Sequence, residues 1–163
     1  MDNYLCINGK KTELTEEQLK QLGIELPKKS CFERVNRGEP YYYINNYDKV
    51  DLIVENCDRF DDQFFLNANY CADKAIMERR ALHETLNRLL WRYSMEHDGD
   101  KINWGKGLWF KVSYNHNKND FVIECNDGYE TLGAVYFYTR KAAEDAIEEV
   151  IKPFIVAHPE IKF

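Results

Sequence analysis

At 163 residues and a net charge of −6, with 44% hydrophobic and 31% charged residues, the chain has the makeup of one globular domain with its own core. Five cysteines at positions 6, 31, 57, 71 and 125, odd in number and without a CxxC pair, argue against a disulfide framework or a cysteine zinc site. No apolar run approaches a membrane span and no secretory leader opens the chain, so a soluble cytoplasmic protein with free thiols is expected.

The first element is a hairpin. Asn8-Gly9 stands between Tyr4-Leu5-Cys6-Ile7 and residues 10–14, and both turn positions tolerate positive φ. Thr15-Glu16-Glu17-Gln18 then forms a capping box, with Leu14 and Leu19 placed as a hydrophobic staple and Gly23 as the stop of a two-turn helix. Segments 27–30 and 37–40 read as connections. Strands are expected over 41–44 and 50–54, followed by a polar stretch, 56–67, with Phe60, Phe64, Phe65 and Leu66 embedded in it, where a short helical turn fits. A long helix is expected over 74–97, ended by Asp98-Gly99-Asp100. After a loop holding Trp104, Gly105 and Gly107 come strands at 108–114 and 121–125, joined by a turn at 115–120, and a third strand at 133–138. The last helix runs over 140–152, with Thr139 as N-cap and Pro153 marking its end.

One pattern occurs twice. A Tyr-rich strand pair (41–55), the run Asn69-Tyr70-Cys71-Ala72-Asp73 and a helix from Lys74 match a strand pair (108–125), the run Val135-Tyr136-Phe137-Tyr138-Thr139 and a helix from Arg140. Aligning Tyr70 with Tyr136 sets Asp73 on Thr139, Lys74 on Arg140 and Glu78 on Glu144, so an N-cap falls at the same place in each copy. The expected architecture is a single α+β domain over 1–163, with antiparallel sheet packed against helices. It consists of an N-terminal hairpin and short helix (1–40) and a loosely duplicated strand-strand-helix unit (41–100 and 101–163).

No catalytic signature accompanies this architecture. His83-Glu84 has Asn87 where a helical zinc site needs a second His, and Gly105-Lys106-Gly107 lacks the rest of a phosphate loop. No Ser-His-Asp or Cys-His arrangement is present at a recognisable spacing, and no cofactor or metal is implied. The best lead lies on the long helix. Ala75, Leu82, Leu86, Leu89, Leu90 and Tyr93 form a core stripe, while Met77, Trp91 and Met95 fall almost opposite, interleaved with Arg80, Glu84 and Arg88. Either the N-terminal segment covers that face, or it is a recognition surface of the Trp/Arg/Met composition common in interface hot spots.

Residues 41–66 hold two basic side chains, Lys49 and Arg59, against Asp48, Asp51, Glu55, Asp58, Asp61 and Asp62, a net of −4. This stretch reads either as a solvated surface or as an acidic docking face, with Asp58, Asp61 and Asp62 at its centre, for a basic, nucleic-acid-binding protein. Direct nucleic-acid binding is disfavoured, because the aromatic strands lack interleaved Lys and Arg. A nucleotide ligand held between aromatic rings is less constrained by that argument, and self-association is compatible with the pattern.

Ile7-Asn8-Gly9-Lys10, Leu14-Thr15-Glu16-Glu17-Gln18-Leu19, Tyr41-Tyr42-Tyr43-Ile44, the helix segment 80–92 and the closing Val135-Tyr136-Phe137-Tyr138 with 142–149 together resemble an uncharacterised family of small phage- and prophage-encoded proteins of Firmicutes. The resemblance spans most of the chain and brings no catalytic residues with it. It implies a mobile-element setting, in which accessory proteins bind and disable host defence machinery, CRISPR effectors included. The expected function is therefore a stoichiometric, non-enzymatic inhibitor that contacts a host protein, with a sequestering nucleotide binder as the alternative.

Overall fold

The computed structural model describes residues 4–7, 10–23, 30–103, 107–127 and 130–163. The chain divides into two compact units, Met1–Glu33 and Arg34–Phe163. In the first, β1 (Tyr4–Ile7) pairs antiparallel with β2 (Lys10–Glu13), Ile7 opposite Lys10. The Asn8-Gly9 turn expected between them lies outside the described residues, as do segment 24–29 and residues 104–106. Helix α1 (Glu16–Gln21) opens on the expected capping box: the Gln18 amide donates to Thr15 Oγ1 at 3.3 Å and the Thr15 amide to Gln18 Oε1 at 2.9 Å.

The second unit is the repeated α+β structure. Strands β3 (Pro40–Ile44) and β4 (Val50–Val54) form an antiparallel pair with Tyr42 opposite Leu52. Helix α2 (Arg59–Leu66) follows, then α3 (Lys74–Glu96). A 3-10 turn at Gly99–Lys101 precedes β5 (Leu108–Asn115), β6 (Asp120–Asp127) and the two-residue β7 (Tyr136–Phe137), joined in the order β6-β5-β7. The two sets of strands are separate sheets, both antiparallel.

The duplication holds at the level of register. In the first copy Cys71 bridges Tyr42 on β3; in the second Phe137 pairs with Phe110 on β5. The residues that this register superimposes are buried alike: Tyr41 (0%) with Trp109 (2%), Tyr70 (2%) with Tyr136 (4%), Cys71 (0%) with Phe137 (1%), and Met77 (0%) with Ala143 (0%). The Asn69 amide pairs with both backbone groups of Ile44, at 2.9 and 2.8 Å, and so extends the short bridge of the first copy. Both helices start as aligned. Asp73 accepts from the Ala75 and Ile76 amides, Thr139 accepts from Ala142, and the ion pairs Lys74–Glu78 and Arg140–Glu144 occupy matching turns.

Helix α3 serves both copies. It packs on β3 and β4 as well as on β7 and the final helix, and the residues it buries change face along its length. Met77 and Ala81 are buried near the start, whereas Leu86 and Tyr93 are buried further on, about 160–180° round the axis from Met77. The single core stripe expected from the sequence therefore holds only for the second half. There Tyr93 joins Phe137, Ala142, Ala143 and Ala146, and Leu86 joins Ile151, Phe154 and Ile161.

The last helix continues past its expected end. It runs through α4 (Arg140–Ala146), a π-helical turn (Ile147–Ile151) and α5 (Lys152–Ala157), with Pro153 inside it. Proline donates no amide and crowds the carbonyl one turn back, which an ordinary α-turn tolerates poorly. The π-turn immediately before it widens the helix, with the Lys152 amide reaching back to Ile147, and the chain passes the proline without ending. The third strand is also shorter than the six residues expected, because only Tyr136 and Phe137 reach β5.

Candidate functional site

The acidic stretch is the first place to test for chemistry. Glu55, at the end of β4, is fully buried (0%), and Asp61 in α2 nearly so (1%). Arg34 grips Glu55 through Nη2 at 2.8 Å and Nε at 3.2 Å, and reaches Asp62 through Nη1 at 2.6 Å. Glu55 also accepts from the Tyr70 hydroxyl and the Cys57 amide, each at 2.8 Å. Asp61 accepts from the Tyr41 hydroxyl at 2.7 Å and from the amides of Asn56 and Asp58 at 2.8 and 3.2 Å. The rings of Tyr41 and Tyr70 stack with centroids 3.9 Å apart.

These contacts set the charge state. The Arg34 guanidinium holds the Glu55 carboxyl below its usual range, against the opposing effect of burial. Burial alone would raise Asp61; the hydrogen bonds from Tyr41 and the two amides outweigh it and hold this carboxyl low as well. Two ionised carboxylates with their lone pairs engaged and no path to solvent anchor a loop and a helix. They offer nothing to a substrate.

The expected docking residues at this end consequently carry structural duties. Asp58 is the N-cap of α2, accepting from the amides of Phe60 (2.8 Å) and Asp61 (3.1 Å), and Asp61 returns the bond in a reciprocal capping box. Asp61 is thus corrected from a partner-binding residue to an interior one. Asp62 stays exposed but is paired with Arg34. The sequence contained the signal for this box in Asp58-x-x-Asp61. The partner Arg34, 21 residues upstream of Glu55, left no local trace.

Met77 is likewise corrected: at 0% exposure it belongs to the interior. Arg80 pairs with Glu84 at 2.6 Å and hydrogen-bonds the Ala68 carbonyl, which fixes the turn between α2 and α3. It braces the fold rather than facing outward freely.

The remaining three residues come together. Trp91 is 59% exposed, Met95 half-buried, and Arg88 is fixed by Asp48 at 2.6 Å, tying α3 to the β3–β4 turn. Two troughs of about 290 Å³ each flank Trp91. One is lined by Met95, Gly99, Ile102 and Tyr136, the other by Asn87, Arg88 and Gly133, and both are bounded by Ala134 and Val135. Leu132 stands beside them at 94% exposure, and the turn that carries Asp48 also carries Tyr47, at 83%. Gly99 makes this trough possible. A Cβ there would meet Ser94 Oγ at 2.5 Å and the Met95 Cε at 2.7 Å, so only glycine lets the 3-10 turn close under the helix end. Ser94 itself is buried and donates its hydroxyl to the Tyr136 carbonyl, holding α3 against β7.

Three tyrosines of the first copy are engaged by neighbouring rings. Tyr41 and Tyr43 pack on Phe64, and Tyr70 receives the edge of Phe65. Among the described residues no helix is long and apolar enough to cross a membrane. No protein-family model matches the chain, and no curated protein or solved structure matches it either.

Proposed function

We propose that the chain is a protein-binding module of a phage or prophage, a stoichiometric counter-defence inhibitor of the anti-CRISPR type that acts by contact rather than turnover in the host cytoplasm. One observation carries the reading: a tryptophan 59% exposed, seated between two troughs and flanked by a methionine and an ion-paired arginine. Trp and Arg are the side chains enriched in binding hot spots, and here they stand one beside the other at the edge of a trough.

The partner is a basic, nucleic-acid-binding effector. Each carboxylate of residues 48–62 is ion-paired or hydrogen-bonded, yet the stretch retains its net negative charge and steers such a surface toward the Arg88–Asp48 edge of the trough. The mobile-element setting is what the sequence resemblance implies.

The test is an interference assay. Cells carrying an active CRISPR effector are challenged with a targeted plasmid, with and without this protein. Restored transformation, a one-to-one complex with the effector on gel filtration, and loss of both in Trp91→Ala support the reading. Undiminished interference across a panel of effector types refutes it.

A further inference from the structure

A separate groove lies on another side of α3, about 120° round the axis from Trp91 and Met95. Its volume is about 260 Å³, and it is bounded by Leu89, Arg92 and Glu96 of α3 and by Glu149, Val150 and Phe154 across from them. The π-turn shapes it, because the wider turn carries Glu149 and Val150 and ends just before Pro153. π-turns inside helices recur at functional sites.

The chemistry of the walls is mixed in a specific way. Leu89, Val150 and Phe154 supply an apolar floor. Tyr93, itself 9% exposed, donates its hydroxyl to the carboxylate of Glu149, which lines the groove, at 3.2 Å. The Tyr93 ring is in turn clamped by His97, stacked at 4.0 Å. Arg92 and Glu96 stand one turn apart on α3 yet make no ion pair among the described residues, although the pairs Lys141–Asp145 and Lys152–Glu148 form on the helix opposite. One guanidinium and two carboxylates therefore share an apolar groove without neutralising one another.

We infer that this groove binds a small zwitterion, an α-amino acid with an apolar side chain: its carboxylate on Arg92, its ammonium between Glu149 and Glu96, its side chain on Leu89, Val150 and Phe154. A simple cation would leave Arg92 opposing it, and a simple anion would face two carboxylates; only a ligand carrying both charges uses every group. The volume lies just below the range of drug-sized pockets, about 300–1,000 Å³, as suits a ligand of amino-acid size.

Three ligands on the unaltered protein decide the matter, followed by amide chemical shifts: leucine, leucinamide (no carboxylate) and 4-methylpentanoate (no ammonium). Leucine is expected to bind saturably, with shifts centred on Leu89, Tyr93 and Val150, and at least about tenfold more tightly than either half-ligand, a difference of about 1.4 kcal/mol. Arg92→Gln should abolish the advantage over leucinamide, and Glu149→Gln the advantage over 4-methylpentanoate. Trp91→Ala should change neither, which separates this site from the protein-binding face. Absence of saturable leucine binding at about 50 mM, equal binding of the half-ligands, or shifts centred elsewhere would overturn the assignment.

Discussion

Tyr70 and Tyr136 hold the same position in two copies of one unit, and each accepts a backbone amide on its buried hydroxyl, from Val35 at 3.0 Å and from Thr131 at 2.7 Å. They differ in their second partner. Tyr70 donates to the Glu55 carboxylate, and burial together with that anion pushes its pKa up to about 12. Burial would also raise Tyr136, but donors from Thr131 and the Asn126 amide outweigh it and lower its pKa. Replacing either tyrosine by phenylalanine strands a buried amide, so Tyr70→Phe and Tyr136→Phe should each cost about 1–2 kcal/mol in urea unfolding. Only Tyr70→Phe should also alter the acid dependence of stability.

That dependence has a definite sign. Glu55 and Asp61 have folded-state pKa values below their unfolded ones, so the folded state binds protons less readily than the unfolded chain. Their stabilisation is complete above the ordinary carboxylate range and is lost as pH falls through the folded values. Unfolding free energy should therefore decline from about pH 5 downward. Glu55→Gln should lower stability at pH 7 by about 2–3 kcal/mol and flatten the acid slope. A mutant slope equal to the parent's would remove Glu55 from this role.

What could be read in advance was local. The Thr15–Gln18 box, the Asp73 and Thr139 caps and the two strand pairs depend on residues within a few positions of one another, where side-chain chemistry dictates backbone geometry. Arg34 with Glu55 is a meeting of distant segments, and no periodicity reports it. The helical wheel of α3 misled for a related reason. A wheel assumes one neighbour along the whole length, whereas α3 packs on strands of both copies and buries Met77 on one side and, on the far side, Tyr93 against the second copy. Pro153 reads as a stop by residue type, because the π-turn that accommodates it has no signature in the sequence.

Gly99 carries a prediction about the trough itself. Its missing Cβ is demanded by close approach, since the contacts at 2.5–2.7 Å include the Ser94 carbonyl oxygen, which cannot move aside without unwinding the helix end. Gly99→Ala should cost about 1–3 kcal/mol and displace Met95 from the trough. Melting temperature measures the first effect, and emission of Trp91, which lines the same trough as Met95, measures the second.

Trp91 and Met77 provide the sharpest contrast, because the helical wheel puts them on one face while their exposures are 59% and 0%. Trp91→Ala removes a side chain that water already touches, and unfolding free energy should change by no more than about 0.5 kcal/mol. Its effect should fall on partner binding, where truncating a hot-spot tryptophan costs about 2 kcal/mol or more, roughly thirtyfold in Kd. Met77→Ala empties a fully buried site and should cost about 2–5 kcal/mol of stability. The surviving folded fraction should bind the partner with unchanged affinity. Paired urea titrations and binding isotherms on the two variants test this split. A Trp91→Ala protein destabilised as much as Met77→Ala would mean that the indole is part of the core and that the trough is no docking surface.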